Sequence, residues 1–317
     1  MLINKAENIH KPVLLAETLQ MLDPQPGEVF VDATLGLGGH TEAILAISGD
    51  IQAIGIDQDA RAIELAEQRL AHFGNQFEAF HANFSDILLV LEKAGIEKAD
   101  CILADLGVSS LQFDSETRGF SFRFDAPLDM RMDADADTET AAELLETLSE
   151  FEIARIIYEY GEERFSRRIA RRIVERRERG EPVKTTGELA KLVEKAIWRG
   201  KKDKIHPATK TFQALRIAVN DELEIIEQFV RDSVKILKAG GRMAVITFHS
   251  LEDRIVKQTM QKLSGKCFCP PRMPVCVCRA SREIEILTRK PVTSGEEETD
   301  NNPRARSAKL RTCRKID

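Results

Sequence analysis

Residues 32–41 read DATLGLGGHT, and this stretch decides the fold because it places a glycine-rich turn directly after a short apolar strand. The run EVFVDAT (28–34) precedes the turn, and HTEAILAI (40–47) follows it with helical spacing. A strand, a glycine turn and a helix in this order are typical of nucleotide-binding sites. The stretch therefore raises the question of which nucleotide this chain binds.

The alternation of strand and helix continues on the carboxyl side of the turn. Strands that alternate with helices predict a parallel sheet covered on both faces. The pattern stops near Gln112 and resumes with a segment at 211–237 that we predict as one helix, followed by the turn KAGG. The further predicted strands are IQAIGIDQD (51–59), QFEAFHANF (76–84), DCILADLGVSS (100–110) and RMAVITFHS (242–250).

The segment between these two parts is predicted to be helical. Thr140–Glu143, Ser149–Glu152 and Thr185–Glu188 each fit the capping box, in which a hydroxyl and a carboxylate satisfy the first free N–H groups of a helix. We therefore expect an α/β fold, a doubly wound Rossmann-like sheet with an inserted all-helical domain. The predicted domains are a discontinuous core of residues 1–112 and 213–317, with a basic C-terminal tail, and an insertion at 113–212.

Three acidic residues at strand ends narrow the choice of nucleotide. The dinucleotide pattern G-x-G-x-x-G fails because its third glycine would fall on Thr41, and no Walker-type phosphate loop is present, which argues against an ATPase. Asp32, Asp57 and Asp105 each end a predicted strand, and Asp57 is placed where a carboxylate can accept both ribose hydroxyls. With LKAGGRMAVITF, this arrangement resembles a class I methyltransferase that uses S-adenosylmethionine.

A closer resemblance emerges from blocks spread between about His10 and Arg311. The chain resembles the bacterial family of 16S ribosomal RNA cytosine-N4 methyltransferases (RsmH, also called MraW), whose fold is a methyltransferase sheet with an inserted helical domain. The blocks are HKPVLLAE, DATLGLGGHT, ADLGVSS, RGFSFRFDAPLDMRM, YGEERFSRRIARRI, HPATKTFQALRIAVNDEL, FHSLEDRIVK and NPRARSAKLR.

The resemblance implies a set of cofactor-binding residues. Asp57 would hold the ribose, Phe84 would flank the adenine, and Asp105 with Gln112 would lie near the methionine end. Without the resemblance, His40 reads as an ordinary first-turn residue of a helix. The implied set is Gly38, Gly39, His40, Asp57, Phe84, Asp105 and Gln112.

Asp105 is also the candidate catalytic residue. The N4 amine of cytosine is a poor nucleophile because its lone pair is delocalised into the ring, so a site must orient that lone pair and accept the protons of the amine. The reaction requires no metal, because the cofactor carries the positive charge that drives it. Phe120, Phe122 and Phe124 could stack on the base or could form a half-buried apolar edge, and both readings stay open.

The charge distribution is compatible with a polyanionic partner, which the resemblance implies is 16S ribosomal RNA or the small ribosomal subunit. Residues 151–216 contain 18 Lys and Arg against 10 Asp and Glu, a net of +8 in a chain of net charge −6. The alternative is a solvated helix face. Asn220, His249, Ser250, Arg123 and Arg131 could reach RNA or could serve as caps, turn residues and ion pairs. The RNA-binding candidates are Arg167, Arg168, Arg171, Arg172, Arg304 and Arg306.

Four of the six cysteines lie in the stretch CFCPPRMPVCVC (267–278). Cys267, Cys269, Cys276 and Cys278 could bind zinc, although C-x-C is tighter than the usual spacing of structural zinc ligands. Free thiols in an exposed hairpin, or an oxidisable pair, are the alternatives. The sequence leaves the metal unknown.

The composition of the chain narrows the classes of protein to which it can belong. No apolar run approaches the roughly 20 residues that span a bilayer, and no signal peptide is recognisable, so a cytoplasmic protein is expected. Two alternatives to a ribosomal RNA methyltransferase remain. One is a methyltransferase of the same fold that acts on DNA or a small molecule, and the other is a cofactor-binding assembly factor without turnover.

Overall fold

The computed structural model describes residues 11–113, 115–197, 206–269, 277–278 and 280–317 of the chain. His10 and Cys276 lie outside these ranges. The chain forms two compact units. The first unit comprises Met1–Gly107 and Leu223–Asp317, and the second comprises Val108–Glu222.

The first unit is built on a sheet of seven strands. These are β1 (Val29–Asp32), β2 (Gln52–Asp57), β3 (Phe77–His81), β4 (Ala99–Asp105), β5 (Leu237–Thr247), β6 (Ile284–Ile286) and β7 (Lys309–Lys315). Their order is β3-β2-β1-β4-β5-β7-β6. The first five strands are parallel, whereas β7 pairs antiparallel with both β5 and β6. The prediction of a doubly wound α/β sheet is confirmed.

Helices and apolar clusters cover both faces of this sheet. One cluster includes Phe229 and Val245, and the other includes Phe30 and Ile246. Val245 and Ile246 are consecutive residues of β5, so their side chains point to opposite faces. No helix in the described ranges is both long and apolar enough to cross a membrane. The helices of this unit are α1 (Leu15–Leu22), α2 (Gly39–Leu45), α3 (Ala60–Leu70), α4 (Ile87–Lys93), α11 (Glu224–Ile236), α12 (Ser250–Leu263) and α13 (Glu296–Asn301).

The second unit is helical and has its own apolar core. All three predicted capping boxes form, and each begins a helix of this unit. Ile169 and Ile173 are buried in its core, and Phe165 packs against the same cluster. The helices are α5 (Ser110–Phe113), α6 (Ala141–Thr147), α7 (Glu150–Glu159), α8 (Ser166–Glu178), α9 (Thr186–Ala196) and α10 (Thr209–Asn220).

The limits of the two units differ from the predicted domain limits. The segment 211–237 is not one helix, because Asp221 adopts a left-handed backbone conformation (φ +48°) that ends α10 before α11 begins. Phe212 and Leu215 of α10 pack in the core of the second unit. The predicted limit at 212/213 therefore cuts a helix, and the second unit runs from 108 to 222 instead of 113 to 212.

Two predicted segments in the carboxyl part also need correction. The predicted strand 242–250 ends at Thr247, and the ladder between β4 and β5 shifts register so that Ala99 faces Leu237 whereas Cys101 faces Arg242. The predicted basic tail is mostly strand β7. Its Arg311 is buried, and Nε donates to Asp253 Oδ1 at 2.6 Å.

Candidate functional site

The strand order reverses between β1 and β4, and the candidate site lies at the carboxyl ends of the strands around this point. In the parallel ladders, Asp32 of β1 is level with Gly55 of β2 and Leu103 of β4. Asp57 and Asp105 follow two residues later on either side. Ligands of doubly wound sheets bind in the crevice that opens at such a reversal. The sheet therefore brings the three predicted carboxylates to one edge.

The glycine turn runs directly over this edge. The backbone N–H of Gly36 donates to Asp57 Oδ2 at 2.7 Å. Gly36 and Gly38 have φ of +52° and +72°, a region that favours glycine. A Cβ on Gly38 would lie 2.9 Å from Leu70 Cδ1, and one on Gly39 would lie 2.5 Å from Pro12 Cγ. The turn thus requires glycine for its conformation and for close packing.

Asp57 combines fixed orientation with partial exposure. Its Oδ1 accepts from the N–H of Asp59 at 2.9 Å, and its Oδ2 accepts from Gly36. Each carboxylate oxygen retains a second lone pair. Burial raises the pKa of Asp57 to about 6, an increase that these backbone hydrogen bonds limit. The carboxylate is therefore held in place with capacity left for hydroxyl donors.

Asp32 is the structural member of the three. It is almost completely buried, Oδ2 accepts from Thr41 Oγ1 at 2.8 Å, and Oδ1 accepts from the N–H of Thr34 at 3.2 Å. Burial raises its pKa to about 6, and the charge of Asp57 adds to the increase. Asp32 ties the strand end to the turn and contributes negative charge to the crevice.

Of the three carboxyl groups, that of Asp105 has the surroundings least favourable to its charged form. Burial raises its pKa well above 3.8, and the nearby carboxyl groups of Asp32 and Glu252 raise it further. Its N–H donates to Thr34 Oγ1 at 2.6 Å, and its Oδ2 lies 3.8 Å from His40 Nε2. Among the described residues, its buried Oδ1 has no hydrogen-bond partner. A buried oxygen of this kind is suited to a ligand that carries a donor or a positive charge.

The structure also shows three residues at this edge that the sequence analysis did not single out. Thr34 and Thr41 orient the carboxyl ends of β4 and β1 through their hydroxyls. Glu252 is buried beside Asp105, where its Oε2 accepts from the N–H of Phe248 at 2.7 Å. Glu252 is the fourth residue of a capping box that begins at His249, and the sequence did not signal it because the usual capping box begins with Ser or Thr.

Two further residues predicted to bind the cofactor have well-defined surroundings. Phe84 is half-buried after β3, where its ring meets Phe229 edge-on with 5.1 Å between centroids. Gln112 belongs to the second unit and is buried. Its Nε2 donates to the carbonyl of Met132 at 3.3 Å, and its Oε1 accepts from the N–H of Ser109 at 3.2 Å. A cofactor role for either residue stays a prediction.

The residues of the crevice fit S-adenosylmethionine. Its ribose would donate to Asp57, and its positive charge would offset the carboxylates of Asp32 and Asp105 that burial has deprived of water. Glycines under the ligand leave room for close approach of the backbone. Fold and site together define the class of protein, a class I methyltransferase dependent on S-adenosylmethionine.

Comparison with known proteins identifies the family within this class. The chain belongs to the MraW methylase family, whose profile matches residues 7–316. It is 52% identical over 309 residues to the protein named ribosomal RNA small subunit methyltransferase H of Trichlorobacter lovleyi, covering 97% of this chain and 98% of that protein. The protein of the same name from Geobacter sulfurreducens is 50% identical over 309 residues, covering 97% of this chain and 99% of that protein. The resemblance read from the sequence is confirmed.

Of the six arginines predicted to contact RNA, five are exposed and one is half-buried. On α8, the side chains of Arg167, Arg168, Arg171 and Arg172 are exposed. In the first unit, Arg306 is exposed and Arg304 is half-buried in the 3-10 helix Pro303–Ser307. Exposure makes these arginines accessible to phosphates, and their role stays a prediction.

Two other polar candidates have structural roles in the second unit. Asn220 Nδ2 donates to the carbonyl of Met130 at 2.8 Å, and its Oδ1 accepts from the N–H of Met132 at 2.7 Å. Arg131 forms a two-point ion pair with Asp129, with distances of 2.8 and 3.0 Å. Both side chains hold the loop after Leu128, which agrees with the reading as turn and ion-pair residues, and a contact with RNA stays untested.

The three phenylalanines that could stack on the base differ in burial. Phe120 is buried in the core of the second unit. Phe122 stacks on His206 at 4.4 Å between ring centroids and meets Phe212 edge-on at 5.0 Å. Phe124 is 40% exposed. Phe124 is the most exposed of the three rings, whereas Phe120 is buried, so base stacking by Phe120 is not supported.

Proposed function

We propose that this protein transfers a methyl group from S-adenosylmethionine to the exocyclic N4 amine of a cytidine in the decoding region of 16S ribosomal RNA. Relatives about half identical over nearly their whole length are named as methyltransferases of small-subunit ribosomal RNA. The observation that carries the proposal is Asp105, a buried carboxyl at the end of β4 with one oxygen available to an amine. We expect the protein to act in the cytoplasm, where bacterial ribosomes assemble.

Asp105 is the proposed catalytic residue. When bound, S-adenosylmethionine supplies a methyl group on positively charged sulfur. Asp105 accepts a hydrogen bond from the N4 amine, and this bond turns the nitrogen lone pair out of conjugation with the ring. Positive charge develops on the nitrogen as its bond to the methyl carbon forms and the bond from that carbon to sulfur breaks, and the carboxylates of Asp105 and Asp32 stabilise this charge. The raised pKa of Asp105 suits it to receive the proton that the nitrogen then loses.

His40 is proposed to position Asp105. The two side chains are both largely buried, and His40 Nε2 lies 3.8 Å from Asp105 Oδ2. A protonated imidazole at this distance favours the carboxylate form of Asp105, and a neutral one limits the directions in which the carboxyl can turn. The remaining proposed cofactor contacts are the backbone of Gly38 and Gly39, the carboxylate of Asp57 and the ring of Phe84.

The exposed arginines of α8 are proposed to bind RNA phosphates. Arg167 and Arg171, and likewise Arg168 and Arg172, are four residues apart, a spacing that places each pair on one face of a helix. Contacts from arginine to phosphate fix the position of RNA without reading its sequence. Sequence specificity then requires base contacts elsewhere.

The decisive experiment uses purified protein, labelled S-adenosylmethionine and small ribosomal subunits from a strain that lacks the enzyme. Nucleoside mass analysis locates the label, with naked 16S RNA and DNA oligonucleotides as parallel substrates. We expect the label in N4-methylcytidine of the ribosomal substrate. Labelled DNA would favour a DNA methyltransferase, and cofactor binding without any transfer would favour an assembly factor.

Asp105 is tested in the same assay with Asp105→Ala and Asp105→Asn. Both changes should lower the rate of transfer by about 100-fold or more, because a positioned acid or base contributes about that much. Asp50→Ala, which removes an exposed carboxylate near the start of β2, is the matched control and should leave the rate unchanged. Full activity in Asp105→Asn would contradict the assigned role while leaving the substrate assignment intact.

The α8 arginines are tested by the salt dependence of RNA binding. Replacing Arg167 and Arg171 by Gln should weaken binding and reduce the slope of log affinity against log salt by about one for each phosphate that the variant no longer neutralises. Lys93→Gln removes an exposed positive charge at the end of α4 in the first unit and serves as the control. An unchanged slope in the double variant would mean that these arginines only solvate the helix.

A further inference from the structure

The segment between α12 and β6 is a long loop closed at its base. Ser264 and Arg282 form an antiparallel bridge, and the N–H of Glu283 donates to the carbonyl of Leu263 at 2.8 Å. Residues 265–281 lie between these points and include the stretch CFCPPRMPVCVC.

Three thiols from the two ends of this loop converge. The Sγ atoms of Cys267, Cys269 and Cys278 all lie within 4.8 Å of one another. Cys267 and Cys278 come from opposite arms of the loop, and their Sγ atoms are 3.7 Å apart. Four sulfurs at about 2.3 Å around a tetrahedral zinc ion are about 3.8 Å from each other. The observed separation therefore matches two thiolates on one metal ion, whereas a disulfide needs about 2.0 Å.

The described part of the loop offers little apolar burial that could explain this convergence. The side chains of Phe268 and Val277 are 54% and 63% exposed. The Lys262 ammonium lies 5.8 Å from the centre of the Phe268 ring, a contact that leaves the ring accessible to water. A short segment that cannot bury its apolar side chains needs another source of stability, commonly a disulfide or a metal.

We propose that Cys267, Cys269 and Cys278 bind a structural zinc ion that holds this loop. In an extended chain, residues i and i+2 face the same side, so the spacing C-x-C can direct both thiols of one arm at the same ion. The three thiols lose their protons to solvent on binding, and thiolates are ligands that zinc prefers. A tetrahedral ion takes a fourth ligand. Cys276 is the nearest further thiol in the sequence and lies outside the described residues.

Zinc content of the purified full-length protein tests this proposal directly. Protein expressed with added zinc and kept reduced should contain about one zinc per chain by elemental mass spectrometry. Cys269→Ser and Cys278→Ser should each lower this content at least fivefold. Cys313→Ala is the matched control, because Cys313 is buried in strand β7 and should leave the content unchanged. Equal zinc in all four proteins, or none in the wild type, would overturn the proposal.

A second readout separates metal binding from misfolding. Replacement of zinc by cobalt should give the strong visible absorption of tetrahedral cobalt–thiolate in the wild type and in Cys313→Ala, and not in Cys269→Ser. Far-ultraviolet circular dichroism and binding of S-adenosylhomocysteine should be the same in all three proteins. A disulfide between Cys267 and Cys278 in protein purified without oxygen, found by peptide mass analysis, would also overturn the proposal.

Discussion

The carboxylates at the strand ends of the first unit differ from those at the helix starts of the second. In the first unit, burial raises the pKa values of Asp32 and Asp57 to about 6, and that of Asp105 well above 3.8. The folded chain holds these groups where their charged forms are unfavourable. That arrangement costs stability unless a ligand supplies compensating charge.

In the second unit, carboxylates at helix starts are stabilised in their charged forms. Backbone and side-chain hydrogen bonds from Thr140 lower the pKa of Glu143, and the hydroxyl and N–H of Ser149 do the same for Glu152. Burial alone would raise the pKa of Asp129, but hydrogen bonds from Arg131 outweigh it and the net shift is downward.

The direction of the pKa shift distinguishes carboxyl groups that serve ligand binding from carboxyl groups that serve stability. Carboxyl groups whose pKa is raised, because their charged form is unfavourable, are concentrated at binding and catalytic sites. A carboxylate that is already well paired has little hydrogen-bonding capacity left for a ligand. The comparison predicts that changes at strand ends alter ligand binding, whereas changes at helix caps alter only the free energy of unfolding. The measurements below test that division.

Among the effects on cofactor binding and stability, the largest is expected from Asp57→Ala. Loss of hydrogen bonds from the ribose hydroxyls to a charged acceptor should weaken binding of S-adenosylmethionine and S-adenosylhomocysteine alike, by about 10- to 100-fold in titration calorimetry. Asp50→Ala, near the opposite end of the same strand, should bind both ligands normally. Unchanged affinity in Asp57→Ala would remove this carboxylate from the cofactor site.

The second effect is the pH dependence of cofactor affinity. Since the pKa of Asp57 is raised to about 6, its carboxylate is mostly protonated at pH 5. Affinity for S-adenosylmethionine should therefore be about tenfold weaker at pH 5 than at pH 7.5. The pKa of Asp32 is also raised to about 6, and its charge should add a further dependence for S-adenosylmethionine alone, because S-adenosylhomocysteine lacks the sulfonium charge. Identical pH profiles would mean that the crevice does not recognise that charge.

The same pKa shifts set the sign of an effect on stability. Between about pH 4 and pH 6, folded Asp32 and Asp57 keep protons that the unfolded chain has released. Their contribution to the free energy of unfolding therefore falls as pH rises through that window and stays low above it. Bound S-adenosylmethionine should reduce this loss, which urea unfolding with and without the ligand measures.

A third, smaller effect concerns the glycine turn. Gly38→Ala introduces a Cβ 2.9 Å from Leu70 Cδ1 at a φ of +72°, whereas Gly27→Ala introduces one at a φ of +81° with no atom within 4 Å. Both changes strain the backbone, so the difference between them isolates the contact with Leu70. We expect Gly38→Ala to lower the free energy of unfolding by about 1 kcal/mol more than Gly27→Ala. Equal costs in urea denaturation would show that Leu70 moves aside.

The smallest effect is expected at a helix cap of the second unit. Ser149→Ala should lower the free energy of unfolding by about 1 kcal/mol, since the N–H of Glu152 loses its hydroxyl acceptor. Ser149→Asp retains an acceptor and should restore most of the stability. Cofactor affinity should be unchanged in both variants. A weaker cofactor affinity in Ser149→Ala would contradict the distinction between carboxyl groups at strand ends and those at helix starts.

Features that depend on neighbours in sequence were predictable from the sequence. The turn at 32–41, the strands that end at Asp32, Asp57 and Asp105, and the capping boxes at Thr140, Ser149 and Thr185 all rest on periodicity and on interactions within a few residues. The family resemblance has the same origin, because it is carried by short ordered blocks.

Features that depend on distant partners were decided only by the tertiary structure. The sequence does not reveal that Asp105 has a buried oxygen without a partner among the described residues, or that Glu252 adds its charge from another helix. Arg311 appears in the sequence as part of a basic tail, but in the fold it is buried against Asp253. Such pairings form when the sheet assembles, because strand register places residues that are far apart in the chain at the same edge.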